Sequence, residues 1–213
     1  MLGIRKNGVF PIINGSFLIL FCFAMVSPMI HLLAISLSSP QYANARMVGL
    51  WPRGFQLDVY REIIQSEAIW RSIGISVYIT VVGTLIALLV NSSLAYSLSR
   101  TFMPGRKLFL KLILITFIFP VPLIPSYLLV KHLGMINTLW ALMIPGAISA
   151  FYIFIMKTFF QGISGELFDA AKIDGCGEFG IYTRIVLPLS TPVLATIALF
   201  HAVAQWNSYF AAI

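Results

Sequence analysis

Five long stretches of the chain carry no charged residue, and each approaches the length needed to cross a bilayer. A membrane-spanning helix needs about 20 apolar residues, because each residue advances the helix by about 1.5 Å. The candidate spans lie within Gly8–Leu37, Ser72–Ser99, Leu112–Val130 and Leu133–Met156, and from Pro188 towards Ile213. Backbone groups in lipid must be hydrogen-bonded internally, and no alternating strand pattern is present. We therefore predict an all-α fold, a polytopic transmembrane helical bundle with five spans.

The composition excludes several classes of protein. Hydrophobic residues make up 59% of the chain and charged residues only 10%, whereas soluble domains are about 25% charged. A soluble enzyme, a nucleic-acid-binding domain and a disordered segment are therefore excluded. The net charge of +7 is typical of basic loops on the cytoplasmic side of a membrane. The first apolar stretch is too long for the h-region of a secretory signal, about 7–15 residues, so we predict a retained first span.

The distribution of basic residues predicts the orientation. With the N-terminus inside, nine basic residues lie in inner segments: Arg5, Lys6, Arg100, Arg106, Lys107, Lys111, Lys157, Lys172 and Arg184. Five lie in outer segments: Arg46, Arg53, Arg61, Arg71 and Lys131. Because Lys and Arg are enriched in cytoplasmic loops, the N-terminus is predicted to be cytoplasmic. Five spans then place the C-terminus outside.

The spans contain prolines and uncharged polar residues. Prolines 120, 122 and 125 are predicted to bend or unwind the third span, because proline lacks an N–H and clashes one turn back. The last span carries Gln205, Trp206, Asn207 and Tyr209, which combine hydrogen-bonding groups with aromatic faces suited to a sugar. Such residues also join helices to one another, so sugar contact and helix packing both remain open. For Asn91, Ser92 and Ser93, packing is the favoured interpretation.

A polar island, residues 161–187, separates the last two predicted spans and faces the cytoplasm by the charge count. Ser164 is a predicted N-cap, and Asp169 and Lys172 are spaced to pair on a helix. Asp174-Gly175 is predicted to end that helix, with Gly175 in the left-handed conformation. Phe179, Tyr182 and Val186 then recur at helical spacing, and Pro188 suits the first turn of the next helix. The apolar edges of these helices suit either the inner membrane surface or a cytoplasmic partner.

The island also carries a long motif. Asp169-Ala-Ala is followed after three residues by Gly175 and after nine more by Ile185-x-Leu-Pro188. This resembles the EAA loop of binding-protein-dependent ABC importer permeases, with Asp169 in place of the family's glutamate. Leu50-Trp-Pro and Leu94-Ala-Tyr-Ser-Leu-Ser-Arg100 resemble other segments of the carbohydrate-uptake branch. The chain is most similar to oligosaccharide permeases related to the smaller membrane subunit of the maltose transporter.

The resemblance implies a single permease domain over residues 1–213, with 161–187 as its cytoplasmic coupling loop. Coupling to the ATPase would rest on these residues: Asp169, Ala170, Ala171, Asp174 and Gly175, with Glu166, Leu167 and Phe168 beside them. The family core has six spans, and because this chain stops inside an apolar stretch, its last span is expected to be missing.

The resemblance also implies the partners and the location. They are a second, different permease subunit, two cytoplasmic ATPase subunits that bind ATP and Mg²⁺, and an extracytoplasmic solute-binding protein. The chain itself would hold no cofactor and no metal, would not bind nucleic acid, and would lie in the bacterial cell membrane as a multi-pass protein. Its function would be the import of a sugar or oligosaccharide without enzymatic activity.

Two other classes compete with this interpretation. An intramembrane enzyme would need a nucleophile or metal motif within the spans, and none is present. An ion- or proton-coupled secondary transporter usually places ionisable residues near the membrane midplane. No Asp or Glu lies inside a predicted span, so the secondary transporter is the alternative that remains.

Overall fold

The computed structural model describes residues 9–208, which form helices and turns and contain no strand. The chain divides into two compact units, one ending at Arg71 and the other beginning at Ser72. The helices before the boundary are α1 (Val9–Ser36), α2 (Pro40–Asn44) and α3 (Asp58–Gln65), and α4 (Glu67–Ser99) runs through it. The second unit continues with α5 (Arg106–Ile118), α6 (Leu123–His132), α7 (Trp140–Met143), α8 (Ala150–Gln161), α9 (Gly165–Ile173), α10 (Glu178–Ile181), a π-helical turn (Tyr182–Val186), α11 (Leu187–Leu189) and α12 (Thr191–Trp206).

The first unit contains the long apolar helix α1 and a following segment, with α2 and α3, that folds back on the end of α1. Ser38 donates from its hydroxyl to the Ala34 carbonyl at 2.6 Å and accepts from the Arg53 backbone N–H at 2.9 Å. The hydroxyls of Ser36 and Tyr60 share a hydrogen bond of 2.7 Å. Most apolar side chains of α1 are exposed, which is the pattern of a helix whose surroundings are lipid.

Two helices among the described residues, α1 and α4, are each long and apolar enough to cross a membrane alone. Two bent segments would add two further candidate spans if each is one span: α5 with α6, and the run from α10 to α11 with α12. The predicted all-helical fold is confirmed, and the first two predicted spans correspond to helices that are long and apolar enough to cross a membrane. The number of spans and the orientation of the N-terminus stay predictions.

The predicted third span is interrupted. Helix α5 ends at Ile118, α6 begins at Leu123, and the chain bends by 118° between them. Pro120 and Pro122 lie in the break as predicted, because neither can donate a helical hydrogen bond. Pro125 lies in the first turn of α6, where the backbone N–H has no helical partner in any case.

The prediction of one continuous helix for the fourth span is wrong. Between Leu133 and Ser149 the structure has only the single turn α7, and α8 runs from Ala150 to Gln161, five residues past the predicted end at Met156. Pro145 and Gly146 follow α7 after the single residue Ile144, and both are poor helix residues. In the last span, the chain bends by 79° around Ser190 before α12 begins, and the predicted end towards Ile213 lies outside the described residues.

The core of the second unit is formed by α4, α8, α12 and the segment between α8 and α12. Its fully buried side chains come from all of these elements: Ala95, Leu98, Ile153, Met156, Phe160, Ile181, Val186 and Ile197. The polar island identified in the sequence is therefore packed into the bundle along one side.

Candidate functional site: the segment between α8 and α12

Helix α9 has a defined beginning and end, as the sequence predicts. The Ser164 hydroxyl accepts a hydrogen bond from the Glu166 backbone N–H at 3.3 Å, which satisfies one of the free donors of the first turn. At the other end, the Cys176 N–H donates to the Ala171 carbonyl at 2.8 Å and the Gly175 N–H to that of Lys172 at 3.0 Å. These two bonds form a Schellman motif, and Gly175 has the expected positive φ of 77°.

The eight predicted coupling residues divide into two groups. Glu166, Leu167, Asp169, Ala170, Asp174 and Gly175 are exposed. Phe168 and Ala171 are each only 8% exposed and pack into the core of the second unit. Because they occupy the opposite face of α9, these two side chains cannot be reached by a partner on the exposed face.

Two exposed apolar residues near Gly175 were not among the predicted coupling residues. Ile173 is 86% exposed and Phe179 is 78% exposed. The sequence placed Phe179 on one apolar edge with Tyr182 and Val186, but those two are buried, and the Tyr182 hydroxyl shares a 2.6 Å hydrogen bond with Ser92 of α4. Tyr182 and Val186 belong to the buried core cluster, and Phe179 does not. The signal that could have found Ile173 is an apolar residue next to a predicted helix stop.

Glu178 lies at the centre of a polar network. Its carboxylate accepts from the Tyr96 hydroxyl and lies 3.5 Å from both the Arg100 Nε and the Lys172 Nζ. Lys172 therefore pairs with Glu178, whereas the sequence suggested Asp169. Burial alone would raise the pKa of the Glu178 carboxyl, but the hydrogen bond from Tyr96 and the charges of Arg100 and Lys172 outweigh it and hold that pKa below its usual value.

Close packing restricts the turn after α9. A Cβ atom on Gly180 would lie 2.6 Å from the Cys176 sulfur, closer than van der Waals contact allows. A Cβ atom on Gly175 would meet no atom within 4 Å, so only backbone strain restricts that position. Beside the segment, Arg100, Phe102, Phe168, Asp169 and Lys172 contribute to a cleft of about 310 Å³.

Two polar side chains of the spans bind the interrupted backbone from α7 to the start of α8. The Asn91 amide donates to the Ala147 carbonyl at 2.6 Å and accepts from the Ser149 N–H at 2.9 Å. Gln205 donates from Nε2 to the Leu142 carbonyl at 2.9 Å. These bonds satisfy backbone groups that an unwound segment would otherwise leave unpaired in an apolar environment.

The predicted sugar-path residues are thus not brought together as one site by the described structure. Gln205 is occupied by a backbone carbonyl, Asn207 donates to Val203 of its own helix at 2.7 Å, and Trp206 is 54% exposed. Tyr209 lies outside the described residues. A role for these residues in sugar contact stays a prediction.

The fold is shared with a membrane transporter of known structure. The match is to a chain in the crystal structure of a bacterial ABC transporter involved in the import of the acidic polysaccharide alginate. The TM-score is 0.89 at 30% sequence identity, and the match covers 99% of this chain and 75% of that one. The class defined by the fold is therefore that of ABC-transporter membrane subunits.

Residues 79–213 match the family described as the binding-protein-dependent transport system inner membrane component, and the chain belongs to this family. It is a permease subunit of an ATP-driven importer and a multi-pass component of the cell membrane. The family is one of transport proteins rather than of enzymes.

Two relatives are similar over nearly the whole chain. The polygalacturonan/rhamnogalacturonan transport system permease protein YtcP of Bacillus subtilis is 42% identical over 98% of this chain and 73% of its own length. The arabinooligosaccharides transport system permease protein AraQ of Halalkalibacterium halodurans is 31% identical over 96% of this chain and 76% of its own length.

Proposed function

We propose that the segment 161–187 is the cytoplasmic coupling loop and that α9 with its C-terminal turn docks an ATPase subunit. The observation that supports this most strongly is the combination of an exposed polar helix with two exposed apolar residues at its end. Glu166, Asp169 and Asp174 provide acidic contacts around the rim, and Ile173 and Phe179 provide an apolar centre. A polar rim around an apolar centre is typical of protein interfaces.

On this proposal the two buried residues of α9 act indirectly. Phe168 and Ala171 anchor the helix to the bundle, and the contact residues are those of the exposed face. Ile173 and Phe179 then join Asp169, Ala170, Asp174 and Gly175 as the surface that meets the ATPase. Closure of the ATPase pair would move this surface as a rigid body and bias the arrangement of the spans.

The test replaces the apolar centre without disturbing the fold. Ile173→Ser and Phe179→Ser are expected to leave the permease in the membrane but to remove ATPase subunits from the purified complex. Trp51→Ser is the matched control, because Trp51 is 82% exposed and lies in the loop before α3, which the proposal places on the other side of the membrane. Normal ATPase recovery with both variants would contradict the proposed docking surface.

The orientation is proposed with the N-terminus in the cytoplasm and at least five spans. The test labels single cysteines at position 44 and position 104 with an impermeant maleimide, after Cys22 and Cys176 have been replaced by serine. Labelling of Asn44→Cys from outside and protection of Pro104→Cys are expected. The reverse pattern would overturn the topology and, with it, the cytoplasmic position of α9.

The proposed cargo is an oligosaccharide delivered by an extracytoplasmic solute-binding protein through a path shared with a second, different permease subunit. The names of two similar proteins support this, since one concerns polygalacturonan and rhamnogalacturonan and another arabinooligosaccharides. ATP and Mg²⁺ would be bound by the partner ATPase subunits, so the purified chain alone is expected to hydrolyse no ATP. Uptake by cells with depleted ATP and an intact proton gradient tests the energy source, and continued uptake would favour a secondary transporter.

A further inference from the structure

We propose that Glu178 is a positioning residue whose contacts with Tyr96 and Arg100 make α4 and the α9–α10 segment move as one body. The inference rests on the proposed function of that segment. It adds the element that receives the movement, namely the long helix α4, and the side chains that transmit it.

The contacts converge on one carboxylate from three directions. Tyr96 donates to Oε2 from the last turns of α4, and the Arg100 Nε lies 3.5 Å from the same oxygen. The Arg100 Nη2 lies 3.5 Å from Oε1, and the Lys172 Nζ of α9 lies 3.5 Å from that oxygen as well. One side chain of α10 therefore joins the end of α4 to the last turn of α9.

Arg100 extends the connection to the buried face of α9. Its guanidinium carbon lies 4.2 Å from the centroid of the Phe168 ring and 5.1 Å from that of Phe102. The side chain of Arg100 is only 13% exposed, and its Nε is buried without a hydrogen bond of its own. A planar guanidinium suits this position, because it stacks on aromatic faces and pairs with a carboxylate at its edge.

This arrangement resists separation. If α10 moved away from α4, a largely buried arginine charge would lose its carboxylate, and an unpaired buried charge is strongly unfavourable. The other contacts of α9 with the core are apolar side chains such as Phe168 and Ala171, which have no directional preference and can slide. The network therefore fixes the register between α4 and the docking surface, whereas the apolar contacts only hold them together.

The receiving helix is suited to this role. Helix α4 is one of two helices among residues 9–208 that can cross a membrane alone. Five residues before Tyr96, the side chain of Asn91 on the same helix binds the interrupted backbone at Ala147 and Ser149. A displacement of the docking surface would thus reach the interior of the bundle through one continuous helix.

The experiment measures sugar uptake and ATP hydrolysis in the same reconstituted importer, together with the amount of ATPase that co-purifies. Glu178→Gln removes the charge and keeps the shape, and Tyr96→Phe removes one hydroxyl and keeps the ring beside Tyr182. Glu62→Gln is the control, because Glu62 is an exposed carboxylate on α3 outside this network.

We expect Glu178→Gln to retain its ATPase subunits and their hydrolysis, while uptake per ATP falls by about fivefold or more, the low end of typical allosteric coupling. Tyr96→Phe is expected to lower the same ratio less, and Glu62→Gln to leave it unchanged. A role in stability alone would reduce the amount of complex but leave uptake per ATP of the surviving complex unaltered.

Two results would overturn the inference. One is an unchanged ratio of uptake to hydrolysis in Glu178→Gln. The other is loss of the ATPase subunits from both variants, which would make the network a requirement for docking rather than for transmission. Failure of the proposed function itself would be seen separately, because the wild-type importer would then take up sugar without ATP hydrolysis or bind ATPase normally after Ile173→Ser and Phe179→Ser.

Discussion

Two interrupted helical segments of the second unit differ in how they are held. In the α5–α6 segment the break falls at Pro120 and Pro122, and neither helix contains a buried residue. In the α9–α11 segment the break falls at Gly175, and the pieces on both sides bury side chains, including Phe168 and Ile181. An interruption by itself therefore does not define a functional segment. The α9–α11 segment is distinguished by its bonds to α4.

The largest expected effect is on transport. It is tested by substituting two glycines, one in each segment, that have nearly equal positive φ angles. Gly175 has φ of 77° and Gly105, which precedes α5, has φ of 73°. A valine at either position costs roughly 1–2 kcal/mol, because its Cβ crowds the backbone in the left-handed region. We expect Gly175→Val to abolish transport at normal membrane abundance, since it alters the end of the docking helix.

The matched variant Gly105→Val is expected to lower stability by a similar amount while transport per molecule stays near normal. A Cβ on Gly105 makes only ordinary contacts with Phe109. Gly177→Ala, two residues after Gly175, is also expected to be mild, because Gly177 has an ordinary negative φ. Equal transport loss at 105 and 175 would show that strain, and not docking, explains the effect.

A smaller effect, on stability, is expected where Asn91 of α4 binds the irregular backbone between α7 and α8. Asn91→Leu would leave the Ala147 carbonyl and the Ser149 N–H without their partner, at a cost of about 1–2 kcal/mol. Thermal unfolding of the purified permease measures this loss. Asn207→Leu serves as the control, because the Asn207 amide is exposed and bonded within its own helix. Equal losses in the two variants would argue against a special role for Asn91.

A smaller loss still is expected for the hydroxyl of Thr84, which lies 3.2 Å from His201 Nδ1 in the core. Hydrogen bonds between membrane helices contribute about 0.6 kcal/mol on average, so Thr84→Val should lower stability by that order. The control is Thr196→Val, since Thr196 donates only to Pro192 of its own helix. If Thr84→Val lowers stability no more than Thr196→Val does, the hydrogen bond between Thr84 and His201 does not stabilise the core.

The smallest effect concerns the pH dependence of the Glu178 network. Because the pKa of Glu178 is lowered in the folded chain, its ionised form stabilises the fold above the unfolded pKa, and this contribution is lost as the pH falls through the folded value. The difference in thermal stability between wild type and Glu178→Gln should narrow from about pH 7 to about pH 4, where glutamate titrates. A difference in thermal stability that stays constant with pH would mean that the charge of Glu178 does not stabilise the fold.

Local chemistry was predictable from the sequence wherever neighbouring residues decide it. The Ser164 cap, the left-handed Gly175 and the break at Pro120 and Pro122 all follow from the properties of single residues. The fourth span was not predictable in this way. An apolar stretch of sufficient length predicts a helix, and the bonds from Asn91 and Gln205 that stabilise an unwound backbone there come from distant parts of the chain.

For the candidate site, the sequence indicated the position but not the direction of each side chain. The spacing of Asp169, Gly175 and Pro188 indicated its position, since a motif depends only on the order of residues. The outward or inward direction of each side chain depends on how α9 packs against the core of the second unit. Periodicity could not give both the burial of Ala171 and the exposure of Phe179, because the turn at Gly175 shifts the phase of the helix between them.

The contact between Cys176 and Gly180 has a consequence for how this segment can change during evolution. An alanine at position 180 would require the sulfur at position 176 to move, so that substitution costs less once the cysteine has been replaced by a smaller residue. Replacement of Cys176 before Gly180 is therefore the easier order. Among related permeases, the identities of these two positions should vary together.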